Sequence, residues 1–512
     1  MRRTDRALLV ALNGLVIASL GCGESALQAG DSGPGRDVDA ATGDGDGDLD
    51  SGASGGDGDG AAGNPHGDGD GGGPQGSQSC GVTSDRVRIT EVDVGHSVLS
   101  SETDAVGALL HPIVIASKPS GGSRLAWMSD NGQTFLATLD ADDHLMGSPA
   151  GFGAHSLADV YADDTGGVLL VARDAAGGGD KQCGTLDNLC GAQSERAWQG
   201  QWSCWDMYLV RFEGSAEKWA TNLTESRADN PPFLASTTAQ NRVVYIWEAF
   251  AHHGRIASSG SSYAAYFGAS ISVSQSCTSA GSIHPTGINI HQGDRMQIVG
   301  LDGALQNGGF GWGCSHSGYE RVVWDPAAKR YVAACKTDND NRLAMPDPYR
   351  TIRSVDLWYA NLSDLVPAVG GGIWVASSDI RPGQPANNNG LADVHLLRFS
   401  NGAADKDLTV VNTQGENDRA PHLAAYGADR MLLAWESSAT AGDLGVNDKA
   451  RQLHVQTVDR ATGEREGDAL TVDVRGNRYH KLVSYPDGSV AFVARGSTGT
   501  RIKIMRVLPC GS

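Results

Sequence analysis

The nine cysteines are the residues whose type and spacing most constrain the chemistry of this chain. Cys22 stands alone behind an apolar stretch. Setting it aside leaves an even set for disulfide pairing in an oxidising compartment: Cys80, Cys183, Cys190, Cys204, Cys277, Cys314, Cys335 and Cys510. The spacings of Cys183, Cys190 and Cys204 lack the paired short steps of a zinc ribbon, so disulfides rather than metal are expected there. Trp198, Trp202 and Trp205 crowd the same segment. They could stack on sugar rings or on a partner, or form the apolar centre of their own disulfide loop. His252 and His253 are adjacent, so on an extended chain their side chains diverge and no shared metal is expected; His284, His291 and His316 could join them only through folding.

A hydrolase of anionic glycans would need arginines for a carboxylate, a tyrosine with an acidic partner and a separate proton donor, converging on one cavity. Arg227, Arg419 and Arg478 lie near repeat starts, but Asp229, Asp418 and Asn477 stand beside them as ready partners. No G-x-S-x-G elbow set between a strand and a helix, no H-E-x-x-H helix and no phosphate-cradling glycine loop followed by lysine appears. Asp338, Asp340 and Asn341 alternate like calcium ligands but lack a completing acid, which reads as a polar loop. No catalytic residue, metal or cofactor is assigned on these grounds.

The elements that must position these residues recur along the chain. Between Arg419 and Val458, a short apolar strand at Leu423–Tyr426 is followed by a turn at Gly427–Asp429 and the wholly apolar run Met431–Trp435. Leu453, Val455 and Thr457 then alternate with polar residues, and Leu470, Val472 and Val474 make a fourth strand. A run without a polar face suits a strand covered on both sides. Corresponding runs occur at Leu125–Met128, Val168–Ala172, Val243–Trp247, Tyr331–Ala334, Ile373–Ala376 and Val490–Ala494, each followed by a further strand such as Met207–Phe212, Met296–Leu301, Val394–Phe399 or Ile502–Val507. Roughly seven units of about 60 residues fit four-stranded propeller blades with inserted loops, so an all-β, about seven-bladed β-propeller is expected over residues 80–512. Stacked β-sandwiches are the competing arrangement. Two units carry long insertions, Asp174–Cys204 and Phe250–Asp294, where binding groups usually sit. Ring closure would bring the strand Val87–Val94 beside Ile502–Val507, and with it Cys80 beside Cys510; the other six cysteines retain about fifteen pairings.

The chain of 512 residues carries a net charge of −20. Roughly half of it falls between Asp31 and Asp70, so it belongs to a tail, and there is no basic stripe for nucleic acid. Residues 23–79 are Gly, Asp, Ser and Ala with almost no large apolar side chain, which reads as a disordered linker. A coil of that length spans on the order of 40 Å. Arg2, Arg3 and Arg6 followed by the apolar stretch Ala7–Leu20 have the parts of a secretory signal.

Three short stretches resemble known patterns. Residues 18–22, Ala-Ser-Leu-Gly-Cys, resemble the lipobox of bacterial lipoproteins, with Ser19 where leucine is usual and Leu20 where a small residue is usual. That resemblance implies a signal segment over 1–22, acylation at Cys22 and, with Gly23 rather than aspartate next, passage to the outer membrane. Asp130, Gly132, Thr134 and Phe135 resemble one Asp-box of sialidase-like propellers, with Met128 at the serine position, and imply a blade hairpin away from any catalytic centre. The alternating aspartates of Gly43–Gly52 resemble a calcium loop without its distal glutamate, and a solvated linker is the better reading. The combined expectation is an exported, membrane-anchored lipoprotein whose propeller binds a glycan or protein partner. The alternatives are an extracellular sialidase-like or other glycan-cleaving enzyme and a structural envelope lipoprotein.

Overall fold

The runs without a polar face become the second strands of blades, packed between neighbouring sheets. Val168 to Ala172 are each 0% exposed, as a strand covered on both faces requires. The computed structural model describes residues 80–510 except 101–111, 155, 175–184, 188–189, 191–195, 200–204, 225–232, 238–240, 248–252, 312–318, 338–341, 356–360, 386–389 and 443–450. Cys22, Cys183, Cys204, Cys314, Trp202, His252, Arg227, the linker 23–79 and the Asp338–Asn341 loop therefore lie outside the described residues.

Seven antiparallel sheets form the ring, and the chain is a seven-bladed β-propeller. The innermost strands are Ile113–Ser117, Ser156–Ala162, Gly254–Ser258, Arg321–Asp325, Val366–Pro367, Asn417–Tyr426 and Val483–Ser484. The second strands are Ser123–Met128, Gly166–Asp174, Ser262–Cys277, Arg330–Lys336, Ile373–Ile380, Arg430–Ser438 and Val490–Arg495. Outermost strands face water; every position of Leu145–Phe152 is exposed or half-buried.

The ring closes through its seventh blade, whose outer strand is supplied by the start of the domain. Val87–Asp93 pairs antiparallel with Arg501–Val507, placing Val87 opposite Val507. A disulfide joins Cys80 to Cys510 just beyond that pair, with Cα atoms 5.9 Å apart. Across the seam to the first blade, Asp143 accepts from Arg506 Nε at 2.9 Å and from Arg88 Nη2 at 2.9 Å, so one buried carboxylate ties three elements together.

The third blade differs from the sequence expectation. Its second strand is not Val243–Trp247 but the first half of Ser262–Cys277, where Tyr263, Ala264, Ala265, Tyr266 and Phe267 are all buried. Val243–Trp247 lies in a strand, Asn241–Trp247, that pairs with the far half of Ser262–Cys277, beyond the blade. The expected insertion Phe250–Asp294 accordingly contains the blade's own inner strand, Gly254–Ser258. The added structure is an overlong hairpin, Ser262–Cys277 with Ile283–Gly300, extended sideways by Phe233–Thr237 and Asn241–Trp247. In the sixth blade the outer strand ends at Val472, and Val474 is buried beyond it.

Candidate functional site

Every blade here is an antiparallel meander, so the start of an inner strand lies beside the end of the second strand: Ser156 opposite Ala172, Gly254 opposite Phe267, Arg321 opposite Ala334, Asn417 opposite Ser438. The connections leaving the second strands thus emerge on the face where the inner strands begin. The insertion after Asp174 and the far half of the long hairpin, within the expected insertion Phe250–Asp294, belong to that face. The segment after Asp174 contains a small hairpin, Thr185–Asp187 with Arg196–Gln199, in which Leu186 is opposite Trp198; Trp205 opens the next strand, Trp205–Glu213. Cys190 of this segment is disulfide-bonded to Cys277 at the end of the long strand of the third blade, with Cα atoms 5.4 Å apart. The two insertions are one cross-linked ridge. Cys335 is also disulfide-bonded and fully buried.

Beneath this face, charged side chains from the starts of inner strands meet across the ring axis. Arg255 of the third blade donates from Nε to Asp364 Oδ1 of the fifth at 2.7 Å and from Nη2 to the Tyr479 carbonyl of the seventh at 2.6 Å, contacts that only the axis can provide. Arg321 of the fourth blade lies 3.6 Å from the same Asp364 oxygen and donates to the Leu362 carbonyl at 3.1 Å. Its guanidinium sits 5.1 Å from the Tyr319 ring. Lys481 is 2.6 Å from Asp159 Oδ1, while Asp159 Oδ2 accepts from the Ile256 amide at 2.9 Å. His253 Nδ1 and Glu320 Oε2 are 2.6 Å apart and buried.

The glycine at 268 is required by that last pair, because a Cβ there would lie 2.7 Å from the His253 ring. His253, from the second insertion, is only 4% exposed, held against Glu320 immediately before the inner strand Gly254–Ser258. His284 and His291 lie on the strand Ile283–Gly300, and His316 is outside the described residues.

Burial dominates the electrostatics here. It pushes the Arg321 pKa down to about 10, with the neighbouring Arg255 adding to the fall and Asp364 opposing it. Burial raises the Asp364 carboxyl, but Arg255 and Arg321 outweigh it and hold Asp364 below the usual carboxylate range. His422 is lowered to about 3 and His480 to about 4, in both cases chiefly by burial, so both are neutral imidazoles at physiological pH. His480 Nδ1 is 3.0 Å from the Val493 carbonyl, and both rings pack on Phe492. Asp418 is raised by burial to about 6, against an amide hydrogen bond from Thr413 at 2.9 Å.

Sequence reasoning singled out Arg419 and Arg478 but not Arg255 and Arg321. Arg419 bonds Asn417 Oδ1 at 2.7 Å and the Gly390 carbonyl at 3.1 Å rather than pairing with Asp418, and Arg478 stacks 4.8 Å from the Tyr479 ring. The signal that could have found the missed pair is the one used for the others: an arginine at the start of a repeat unit. For an anionic substrate the arrangement has a definite consequence. One Asp364 oxygen already lies between the two axial arginines, so a ligand carboxylate reaching them would compete with it.

The Asp130 hairpin connects Ser123–Met128 to Thr134–Leu139, and Asp130 accepts from the Ser100 amide at 2.9 Å.

No protein-family model matches the sequence, and no curated protein matches it. Among solved structures the chain is similar to the Neurospora crassa Pan2 WD40 domain, at 11% identity and a TM-score of 0.35 over 77% of this chain and 89% of that one. It is similar to a Fusarium graminearum GH93 alpha-L-arabinofuranosidase solved with arabinobiose, at 8% identity and a TM-score of 0.34 over 81% and 96%. A PL25 ulvan lyase shares 11% identity at a TM-score of 0.35 over 81% and 95%.

Proposed function

We propose that this protein is an exported, lipid-anchored binding propeller that meets a glycan or protein partner with the face from which its insertions emerge. The observation that carries the reading is the Cys190–Cys277 bond. It ties the insertions of two adjacent blades into one ridge, which removes conformational freedom a free loop would lose on binding. This cross-link lies apart from the ring closure, where Val87–Asp93 pairs with Arg501–Val507 and Cys80 bonds Cys510. A glycan array with the purified protein, repeated with the Cys190→Ser, Cys277→Ser variant, which spares the Cys80–Cys510 closure, tests the reading. Binding that weakens in the variant supports it, and the absence of any glycan or purified protein ligand points to a structural envelope role.

Anchoring at Cys22 rests on the charged-then-apolar segment that precedes it and on the resemblance of residues 18–22 to a lipobox. The acidic, glycine-rich residues 23–79 would then hold the propeller clear of the outer membrane surface. Replacing Cys22→Ser should release the protein or leave its signal uncleaved. A variant that still partitions into detergent as a mature lipidated chain removes the anchor from the account.

A further inference from the structure

On the opposite face of the ring, where the inner strands end, a cleft of ≈ 410 Å³ opens between the second and third blades. Its size falls within the range of small-molecule sites. Trp219 and Tyr161 contribute partly buried aromatic surface, joined by Tyr263, whose ring centroid lies 5.6 Å from Tyr161 and 6.3 Å from Trp219. The indole is fixed at both ends of its options: its N–H donates to the Leu301 carbonyl at 3.2 Å, and it packs on Gly303, where a Cβ would approach to 2.8 Å. With its polar edge satisfied, what Trp219 offers a ligand is aromatic surface. Beside it, half-exposed Leu301 extends the apolar wall.

The charged groups of the cleft balance. Arg211 is clamped by Asp163, with contacts of 2.5 and 3.0 Å, and Asp163 spends its remaining capacity on the Thr165 and Gly166 amides and the Thr165 hydroxyl. That pair is a fixed wall. Glu213 and Lys218 form a second pair at 3.3 Å whose side chains are 45% and 48% exposed, leaving an acceptor and a donor side by side and reachable. Two acids and two bases select no net charge. Vicinal hydroxyls on one edge of a pyranose, with the apolar C–H surface of its ring, match an adjacent acceptor and donor next to an aromatic plane.

We infer that the cleft between the second and third blades is a binding site for a neutral saccharide unit, with Trp219 as its stacking surface and Glu213 and Lys218 as its hydroxyl-reading pair. The site is separate from the ridge on the opposite face and does not depend on it.

The test is calorimetric titration of the whole protein with neutral di- and trisaccharides of glucose, galactose, mannose and xylose, alongside a glucuronate-containing disaccharide. The inference expects at least one neutral sugar to bind in preference to the uronate. Its affinity should fall at least about tenfold in Trp219→Ala, the loss of one aromatic stacking contact. Because Trp219→Ala also touches the packing of the second blade, Glu213→Ala and Lys218→Ala, at exposed positions, supply the second arm and should weaken the same sugar with the thermal unfolding unchanged. Failure of every neutral sugar to bind, preference for the uronate, or binding unaltered in these variants would overturn the inference. So would sugar binding lost only when the Cys190–Cys277 ridge is shortened, since that places the sugar on the other face.

Discussion

Arg255 donates its Nε to Asp364 across the centre of the ring at 2.7 Å, although the two residues are 109 positions apart in sequence. Arg255 and Arg321 keep only 4% and 1% of their side-chain surface exposed, and Asp364 is the carboxylate in contact with both, with Glu320 adding to the field at each. Asp364→Asn should cost about 3 kcal/mol, the low end of the range for an orphaned buried charge, because Asp364 itself remains 19% exposed. Urea unfolding of the variant checks this. A loss under about 1 kcal/mol would show that the axial charges are hydrated and available to a ligand.

The neutral imidazoles predict acid lability. His422 and His480, with folded values of about 3 and about 4, bind protons in the unfolded chain near pH ~6.5 but not in the folded one. Their stability contribution is complete above that unfolded value and is lost as pH falls below it, by about 1.4 kcal/mol per unit for each ring. Asp418, raised to about 6, acts in the opposite sense, because its folded form takes up a proton before its unfolded form does. The net loss between about pH 7 and about pH 5 is therefore about 2–3 kcal/mol. Replacing both histidines by Gln should abolish or reverse that slope, and an unchanged slope would mean that other groups set it.

Ring closure gives a third prediction. The Cys80–Cys510 link spans 430 positions, and the chain-entropy account assigns so long a loop about 5–6 kcal/mol. Cys80→Ser with Cys510→Ser should lower the unfolding free energy by several kcal/mol while leaving the circular dichroism of the folded protein intact. Asp143→Ala attacks the same seam without touching the disulfide. It leaves Arg506, 3% exposed, without its carboxylate and should cost about 3–5 kcal/mol.

Six of the seven second strands were legible in the sequence because a strand buried on both faces has no polar position to interrupt it, as at Val490–Ala494. The third blade was misread for the same reason in reverse. Val243–Trp247 is the more apolar run, whereas the blade's true strand begins at Ser262 and passes into Gly268 and Ser270, which dilute its pattern. The closing pair was legible because Cys80 and Cys510 flank the repeats. The axial network was not: Asp159, Arg255, Arg321, Asp364 and Lys481 come from five different blades, and no local spacing records a convergence that exists only once the ring has closed.

The proposed binding role of the cross-linked ridge is tested most directly by the affinity of a ridge-shortened protein for a glycan or protein ligand whose binding to the intact protein is unchanged by Trp219→Ala, Glu213→Ala and Lys218→Ala. The variant replaces residues 175–204 with a short turn and trims the overlong hairpin to end soon after Phe267 and before Arg295, which retains the blade strands. The account predicts an unfolding midpoint close to that of the intact protein and binding lost by at least about a hundredfold, the scale of a removed central contact region. A well-folded variant that keeps its affinity would contradict the account and move the binding site off this face.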